Sequence, residues 1–310
     1  MEKRIFGKTG LEVSVLGFGG APIGFLKTEQ EAVSRILNLM LDSGVNLIDS
    51  AAMYLGSEEL IGKAVGQRRN DFVFVSKCGQ GANGVNEVDW SEAGIARYIE
   101  QTLRRTGFEY VDVMLLHTCD LATLKQGEAL GALEKAKRAG TIRFLGYSGD
   151  NEAVAHAVTL PSVDVVQMSI NLCDQANIDL ALPAARAKNV GVMAKRPIAN
   201  AAWKKPSDQP GMYASYARTY TERLAAMDIR PGDFGIAGPA EEAWPELALR
   251  FTLSQPGAHT AIIGTTKAEN VKRNLAAAAK GPLPHIAVDS VREAFRRAEA
   301  AAGQAWRGQT

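Results

Sequence analysis

Short apolar runs alternate with amphipathic stretches along almost the whole chain. Arg4-Ile5 and Leu11–Val13 flank Gly7-Lys8-Thr9-Gly10, which predicts a small hairpin. Val15–Phe18 then reads as a strand running into Gly19-Gly20, and a loop is expected across Pro22. Glu29–Leu41 follows as a helix, with Val33, Ile36, Leu37, Met40 and Leu41 on one face and Gly44 just beyond its end. The alternation repeats. Strands are expected at Val45–Ile48, Phe72–Val75, Val111–Leu116, Ile142–Gly146, Val163–Val166, Val190–Ala194 and Thr260–Ile263. Helices are expected between them at Ser57–Val65, Ser91–Arg105, Thr123–Ala139, Glu152–Val158, Ile178–Lys188 and Glu241–Leu253, then at Ala268–Ala279. Residues 197–239 form a long irregular stretch after the seventh strand, and Asp289–Ala302 is an extra helix at the end.

Eight strand-then-helix units with almost wholly apolar strands point to parallel strands buried on both faces. The reading is a (β/α)₈ TIM barrel, one domain over residues 1–310, with an N-terminal β-hairpin, a long loop after strand seven and an extra C-terminal helix. An open doubly wound sheet is the competitor. Its mark would be Gly-x-Gly-x-x-Gly opening a helix after the first strand, and Gly17-Phe18-Gly19-Gly20-Ala21-Pro22 departs from that.

Composition adds exclusions. The 310 residues suit either two average domains or one enlarged barrel, and the eight units favour the barrel. With 46% hydrophobic residues, 22% charged and a formal net charge of +1, the chain is neither disordered nor drawn to nucleic acid or anionic lipid by bulk charge. No apolar run approaches the ~18 residues of a membrane helix. The opening Met1-Glu-Lys-Arg-Ile-Phe-Gly lacks a signal-peptide core, so a cytoplasmic protein without membrane partners is expected. Cys78, Cys119 and Cys173 suit neither a disulfide framework nor a zinc site, and the four histidines show no metal-binding spacing. No heptad pattern appears, so a monomer is expected ahead of an oligomer.

In a (β/α)₈ barrel the active site lies at the C-terminal ends of the strands. The polar residues there are Asp49, Ser76-Lys77, His117, Tyr147-Ser148, Gln167, Lys195-Arg196 and Gly264-Thr265-Thr266-Lys267. Singly, Asp49 could cap a helix, Lys77 could face solvent and His117 could be a packing histidine. A carboxylate, an ammonium and an imidazole on three consecutive strands point instead to chemistry, because buried charge is costly unless paired. His156, His259 and His285 lack such company and read as ordinary residues.

The segment Asp49-Ser-Ala-Ala-Met-Tyr54-Leu-Gly-Ser-Glu58-Glu-Leu-Ile-Gly62 resembles the aldo-keto reductase signature. Phe74-Val-Ser-Lys77 and Asp112-Val-Met-Leu-Leu-His117 resemble its lysine and histidine motifs. The opening from Phe6 to Gly20 is similar to the family's hairpin and first strand, and Ile263-Gly-Thr-Thr-Lys267 through Asn274-Leu275 to its cofactor segment. The resemblance implies a catalytic tetrad of Asp49, Tyr54, Lys77 and His117 and a nicotinamide cofactor, NADPH ahead of NADH. A carbonyl that accepts hydride needs a proton at its oxygen. Tyr54 would give it, and His117, as neutral imidazole, would orient the carbonyl. A Lys77 ammonium about 4 Å away would favour tyrosinate by roughly 4 kcal/mol at an effective dielectric of ~20, lowering the Tyr54 pKa toward neutrality. Asp49 would be the counter-ion of Lys77.

The cofactor contacts implied are Gly20, Ser148, Gln167, Lys195, Arg196, Gly264, Thr265, Thr266, Lys267, Asn270 and Asn274. Gly149 stands where the family has asparagine, and Lys195 where it has a stacking tyrosine. The Lys195 stem would cover the nicotinamide ring, and Arg196 would reach a phosphate. Lys267 and Arg273 favour a 2′-phosphate, whereas Asn270 replaces a common arginine. Lys195, Arg196, Lys267 and Arg273 are expected together on one rim. Met53 and Trp90 are candidate pocket walls for a small carbonyl substrate, with a staple ahead of the next helix as the other reading of Trp90. Tyr213, Tyr216 and Tyr220 punctuate the long loop, the last two on one helical face that would pack on the barrel. Lys195-Arg196 is the one basic cluster that would suit an anionic substrate. The implied activity is NADPH-dependent reduction of small aldehydes or ketones. The alternatives are a nicotinamide-binding regulatory subunit with little turnover and a barrel lyase forming a Schiff base on Lys77.

Overall fold

The computed structural model describes residues 1–81, 87–211 and 213–309. Strands β1 (Lys3–Ile5) and β2 (Glu12–Ser14) pair antiparallel as the expected hairpin. Eight further strands follow: β3 (Leu16–Gly19), β4 (Leu47–Asp49), β5 (Val73–Cys78), β6 (Val111–His117), β7 (Ile142–Ser148), β8 (Val165–Ser169), β9 (Gly191–Lys195) and β10 (Thr260–Ile263). They close in sequence order, with β10 pairing to β3, into a parallel barrel. The (β/α)₈ reading holds.

The side-chain alternation of the strands fixes what the barrel encloses. Leu47, Val73, Val75, Val113, Leu115, Val165, Met193 and Ile262 pack together as one buried cluster. The hairpin plugs its N-terminal end with Phe6 and Val13, both fully buried. That plug needs a glycine: a Cβ on Gly191 would lie 2.9 Å from the Phe6 ring. The outward residues, such as Phe74, Met114 and Leu116, join a second, larger core beneath the helices. Continuing the inward register one step past the apolar layer brings Asp49, Lys77, His117, Gln167 and Lys195 to the C-terminal mouth.

Some elements depart from the expected pattern. A one-turn helix, Ala21–Phe25, stands where a loop was expected, since Pro22 in a first turn has no N–H to lose. The helix expected at Thr123–Ala139 is two, Leu121–Gln126 and Glu128–Ala139, because Gly127 takes a left-handed φ of 79° between them. The one expected at Ile178–Lys188 breaks at Ala181, ahead of Pro183. The final helix starts four residues early, at His285, directly after Pro284. The stretch 197–239 is partly helical, with Arg218–Met227 its longest helix. Among the described residues no helix is long and apolar enough to cross a membrane.

Candidate active site

Asp49 ends β4 and Lys77 lies near the end of β5, so the barrel register sets them side by side. Lys77, fully buried, donates to both Asp49 carboxylate oxygens at 2.8 Å and to the Ser50 carbonyl at 2.7 Å. Burial pushes the Asp49 carboxyl up and the Lys77 ammonium down, against their mutual attraction. All three ammonium hydrogens have acceptors, which is the arrangement that retains the charge. Gln167 donates to Asp49 Oδ1 at 2.9 Å and accepts from Ser148 Oγ at 3.0 Å.

Tyr54 lies in the loop after β4, partly exposed at the mouth. Its ring stands 5.7 Å from His117, edge to face, and the Lys77 Nζ sits 4.9 Å from its centroid. The one-turn helix holds the outer side: Phe25 packs edge-on to Tyr54 at 5.3 Å. Gly24 makes this approach possible, since a Cβ there would meet the Leu55 carbonyl at 2.9 Å. Nothing in the sequence reading singled out Gly24 or Phe25.

The expected direction of the Tyr54 pKa is reversed. Burial, and then the Asp49 charge, hold the phenol well above its ordinary range. The Lys77 ammonium faces the ring, and its hydrogens are committed to Asp49 and Ser50. His117 is held well below the usual histidine range by burial and by Lys77, Lys195 and Arg196, and is therefore neutral. Its Nδ1 is buried without a hydrogen-bond partner among the described residues.

The other candidates fall in two groups. Gly20 and Gly264 are demanded by packing: a Cβ on Gly20 would lie 2.6 Å from Ser57 Oγ, and one on Gly264 2.5 Å from Pro22. Thr265 and Asn270 bond to each other at 3.1 Å at the start of the helix Ala268–Ala279. Thr266 is partly exposed beside them, Lys267 is exposed, and Asn274 is buried one helical turn further on. Met53 is partly exposed next to Tyr54. Trp90 lies on Gly79, just past β5, and precedes Ser91, which caps the helix Glu92–Thr106.

The expected basic rim is not formed. Lys195 turns inward to an ion pair with Asp150 at 2.8 Å. Arg196 hydrogen-bonds Ser169 Oγ at 2.9 Å, the Gln309 carbonyl and the Tyr216 hydroxyl. Arg273 faces Glu242 at 3.8 Å. Desolvation favours this outcome, since charges at a crowded mouth gain more from partners than from like neighbours. Tyr220 packs as expected, buried with its hydroxyl 2.8 Å from Asp174, whereas Tyr216 stays partly exposed against Arg196. The sequence reading also missed the C-terminal segment. Gly308 and Gln309 return to the mouth, bonded to Asn151 at 2.8 Å and Asp174 at 2.9 Å.

The profile of the Aldo/keto reductase family matches residues 15–295. The chain belongs to that family. It is similar to L-galactose dehydrogenase of Arabidopsis thaliana, 27% identical across 89% of this chain and 88% of that one. It is also similar to a probable voltage-gated potassium channel subunit beta of the same plant, 26% identical across 96% of this chain and 97% of that one. Among solved structures, a putative aldo-keto reductase from Pseudomonas aeruginosa superposes with a TM-score of 0.70 at 28% identity, across 90% of this chain and 95% of that one. This aldo/keto reductase is thus of an oxidoreductase family whose members use nicotinamide cofactors on small carbonyl compounds.

Proposed function

We propose that the chain reduces small aldehydes or ketones with NADPH, Tyr54 giving the proton. The observation that carries this is the buried Asp49–Lys77 pair with its ammonium 4.9 Å from the Tyr54 ring, beside a neutral His117. A phenol kept protonated is a donor throughout the neutral range. As negative charge grows on the carbonyl oxygen, Tyr54 transfers its proton there, and Lys77 stabilises the phenolate left behind. Asp49 fixes Lys77, so little reorganisation accompanies the transfer. His117 hydrogen-bonds the carbonyl oxygen and orients it.

The residues at the mouth fit a nicotinamide. Gln167 retains one amide hydrogen and Ser148 an acceptor site once their mutual bond is made, which suits a carboxamide. Thr265, Thr266 and Lys267 would hold a phosphate at the start of a helix, and Asn274 the adenine. Gly20 and Gly264 would leave the backbone open at the mouth, and Asn270 would brace Thr265. The Lys195 stem would cover the ring with its ammonium tied to Asp150. When bound, the cofactor supplies hydride to the carbonyl carbon. Exposed Lys267, at the start of the helix that carries Arg273, supports NADPH over NADH.

Tyr54→Phe tests the reading: aldehyde-dependent oxidation of NADPH should be lost while NADPH still binds, and an unchanged rate would refute it. Similarity to a potassium channel subunit beta favours a second reading, a nicotinamide-binding regulatory subunit. Tight NADPH binding without turnover on a panel of aldehydes would select it. A Schiff base on Lys77 is disfavoured, since its three hydrogens are all engaged. Borohydride trapping of substrate on Lys77 would reverse that judgement.

A further inference from the structure

Behind the Tyr54 site lies a second buried cluster of charge. Asp150 and Asp174 are buried carboxylates. Lys195 pairs with Asp150 at 2.8 Å, and Arg223 bonds the carbonyls of Cys173 and Arg307 at 3.0 and 2.8 Å. Arg196 is the third cation, its side chain only 10% exposed. Its hydrogen-bond partners among the described residues are neutral: Ser169 Oγ, the Gln309 carbonyl and the Tyr216 hydroxyl. The nearest carboxylate oxygen, on Asp150, is 3.8 Å away and already held by Lys195. Three cations therefore face two carboxylates in a desolvated place. Arg196 and Arg223 both hydrogen-bond neutral acceptors, and of these two Arg196 is the one whose guanidinium lies against the exposed Tyr216.

The backbone turns sharply at this residue, as it does again at Ala199, Asn200 and Ala201. Arg196 has a φ of 57°, a left-handed conformation that is strained for a residue with a side chain and persists where surrounding contacts impose it. By strand alternation, a residue following inward Lys195 would point away from the barrel. The left-handed turn keeps its guanidinium at the mouth, against the partly exposed Tyr216 ring at 4.8 Å. Tyr216 packs edge-on to Tyr213 at 6.2 Å. The Arg196 charge reaches both Tyr54 and His117.

We propose that Arg196 reads an anionic group on the substrate, so that the preferred substrates are carbonyl compounds carrying a carboxylate. This rests on the carbonyl-reductase reading above. A planar guanidinium matches a carboxylate in two parallel hydrogen bonds. The Gln309 carbonyl and Tyr216 hydroxyl hold its place, and one of them yields when the carboxylate arrives.

The test uses two isosteric aldehydes, 4-carboxybenzaldehyde and 4-carbamoylbenzaldehyde, with the full chain, wild type and Arg196→Met. Affinities are measured by calorimetry on the NADP⁺-loaded protein, where reduction cannot occur, and initial rates with NADPH. Wild type should bind the carboxylate at least about tenfold more tightly than the amide, and Arg196→Met should lose that preference. The ratio is the readout, so a uniform loss from altered folding or cofactor binding cancels. Equal affinities in wild type would overturn the proposal, whatever the rates. So would a retained preference in Arg196→Met. Loss of NADP⁺ affinity in Arg196→Met with the preference intact would assign the guanidinium to the cofactor's phosphates instead. An Arg196-dependent preference without turnover would leave the anion site standing and remove the reductase reading. Turnover of both aldehydes without preference would do the reverse.

Discussion

Lys77→Met removes an ammonium that is fully buried and triply bonded. The methionine fills similar space, so packing changes little and the effect reports charge. Asp49 is left with Gln167 as its direct donor. Stranding one member of a buried ion pair costs about 3–5 kcal/mol. Burial already pushes the Asp49 carboxyl up, and losing Lys77 raises it further. A raised carboxyl stabilises the fold at acid pH and loses that contribution as pH rises through its folded value. Lys77→Met is therefore least destabilising in acid and most destabilising at neutral pH. Asp49→Asn/Lys77→Met removes both charges and should cost less than the sum of the single changes, by about 1–3 kcal/mol. Catalysis responds differently. The ammonium lies 4.9 Å from the ring centroid; for a charge separation of about 5 Å and an effective dielectric of ~20, it favours a phenolate by about 3 kcal/mol before the Asp49 charge is counted. Both variants should thus lose up to about a hundredfold in kcat. Urea unfolding across pH, paired with aldehyde reduction rates, measures the two effects. Additive stabilities, or a double variant that regains full activity, would refute the ion-pair account.

Three further outcomes follow from the same geometry. Tyr54 is held above and His117 below their ordinary ranges, so kcat/KM for reduction should be flat from about pH 7 to 9; a fall centred near pH 8 would mean that Lys77 does lower the phenol. Asp174 is pushed up to about 6 by burial. Its contribution is present below an unfolded value near ~3.9 and lost as pH rises through 6, a change of about 3 kcal/mol. Asp174→Asn should therefore gain stability relative to wild type between pH 4 and 8, and a pH-independent difference in urea unfolding would contradict this. Gly24→Ala places a methyl 2.9 Å from the Leu55 carbonyl and must shift the Tyr54 loop; about 1–3 kcal/mol of strain is expected, with kcat falling more than NADPH affinity.

Short apolar strands, helix faces and terminal glycines exposed the barrel in the sequence, because burial on both faces of a parallel sheet leaves a mark on every strand. The helix breaks were less visible. Gly127 and Pro183 act on the backbone, and the apolar pattern runs through both without interruption. Asp49, Lys77, His117 and Gln167 were legible as polar residues at strand ends, since the period of two carries an inward apolar register directly into an inward polar one. The ring contacts of Tyr54, the pairing of Lys195 with Asp150 and the neutral partners of Arg196 had no such periodic signal.

The sequence alone determined the element order, the closure into eight strands and the composition of the mouth, because these follow from local periodicity and from where polarity begins. Which charge meets which was decided by the tertiary structure. Lys195 pairs with Asp150, forty-odd residues earlier, and Arg196 bonds Gln309 at the far end of the chain. Such pairings depend on desolvation and on a left-handed turn at one residue. Tyr54 shows the difference: the sequence placed a lysine nearby and implied a lowered pKa, but burial at the actual position drives it upward.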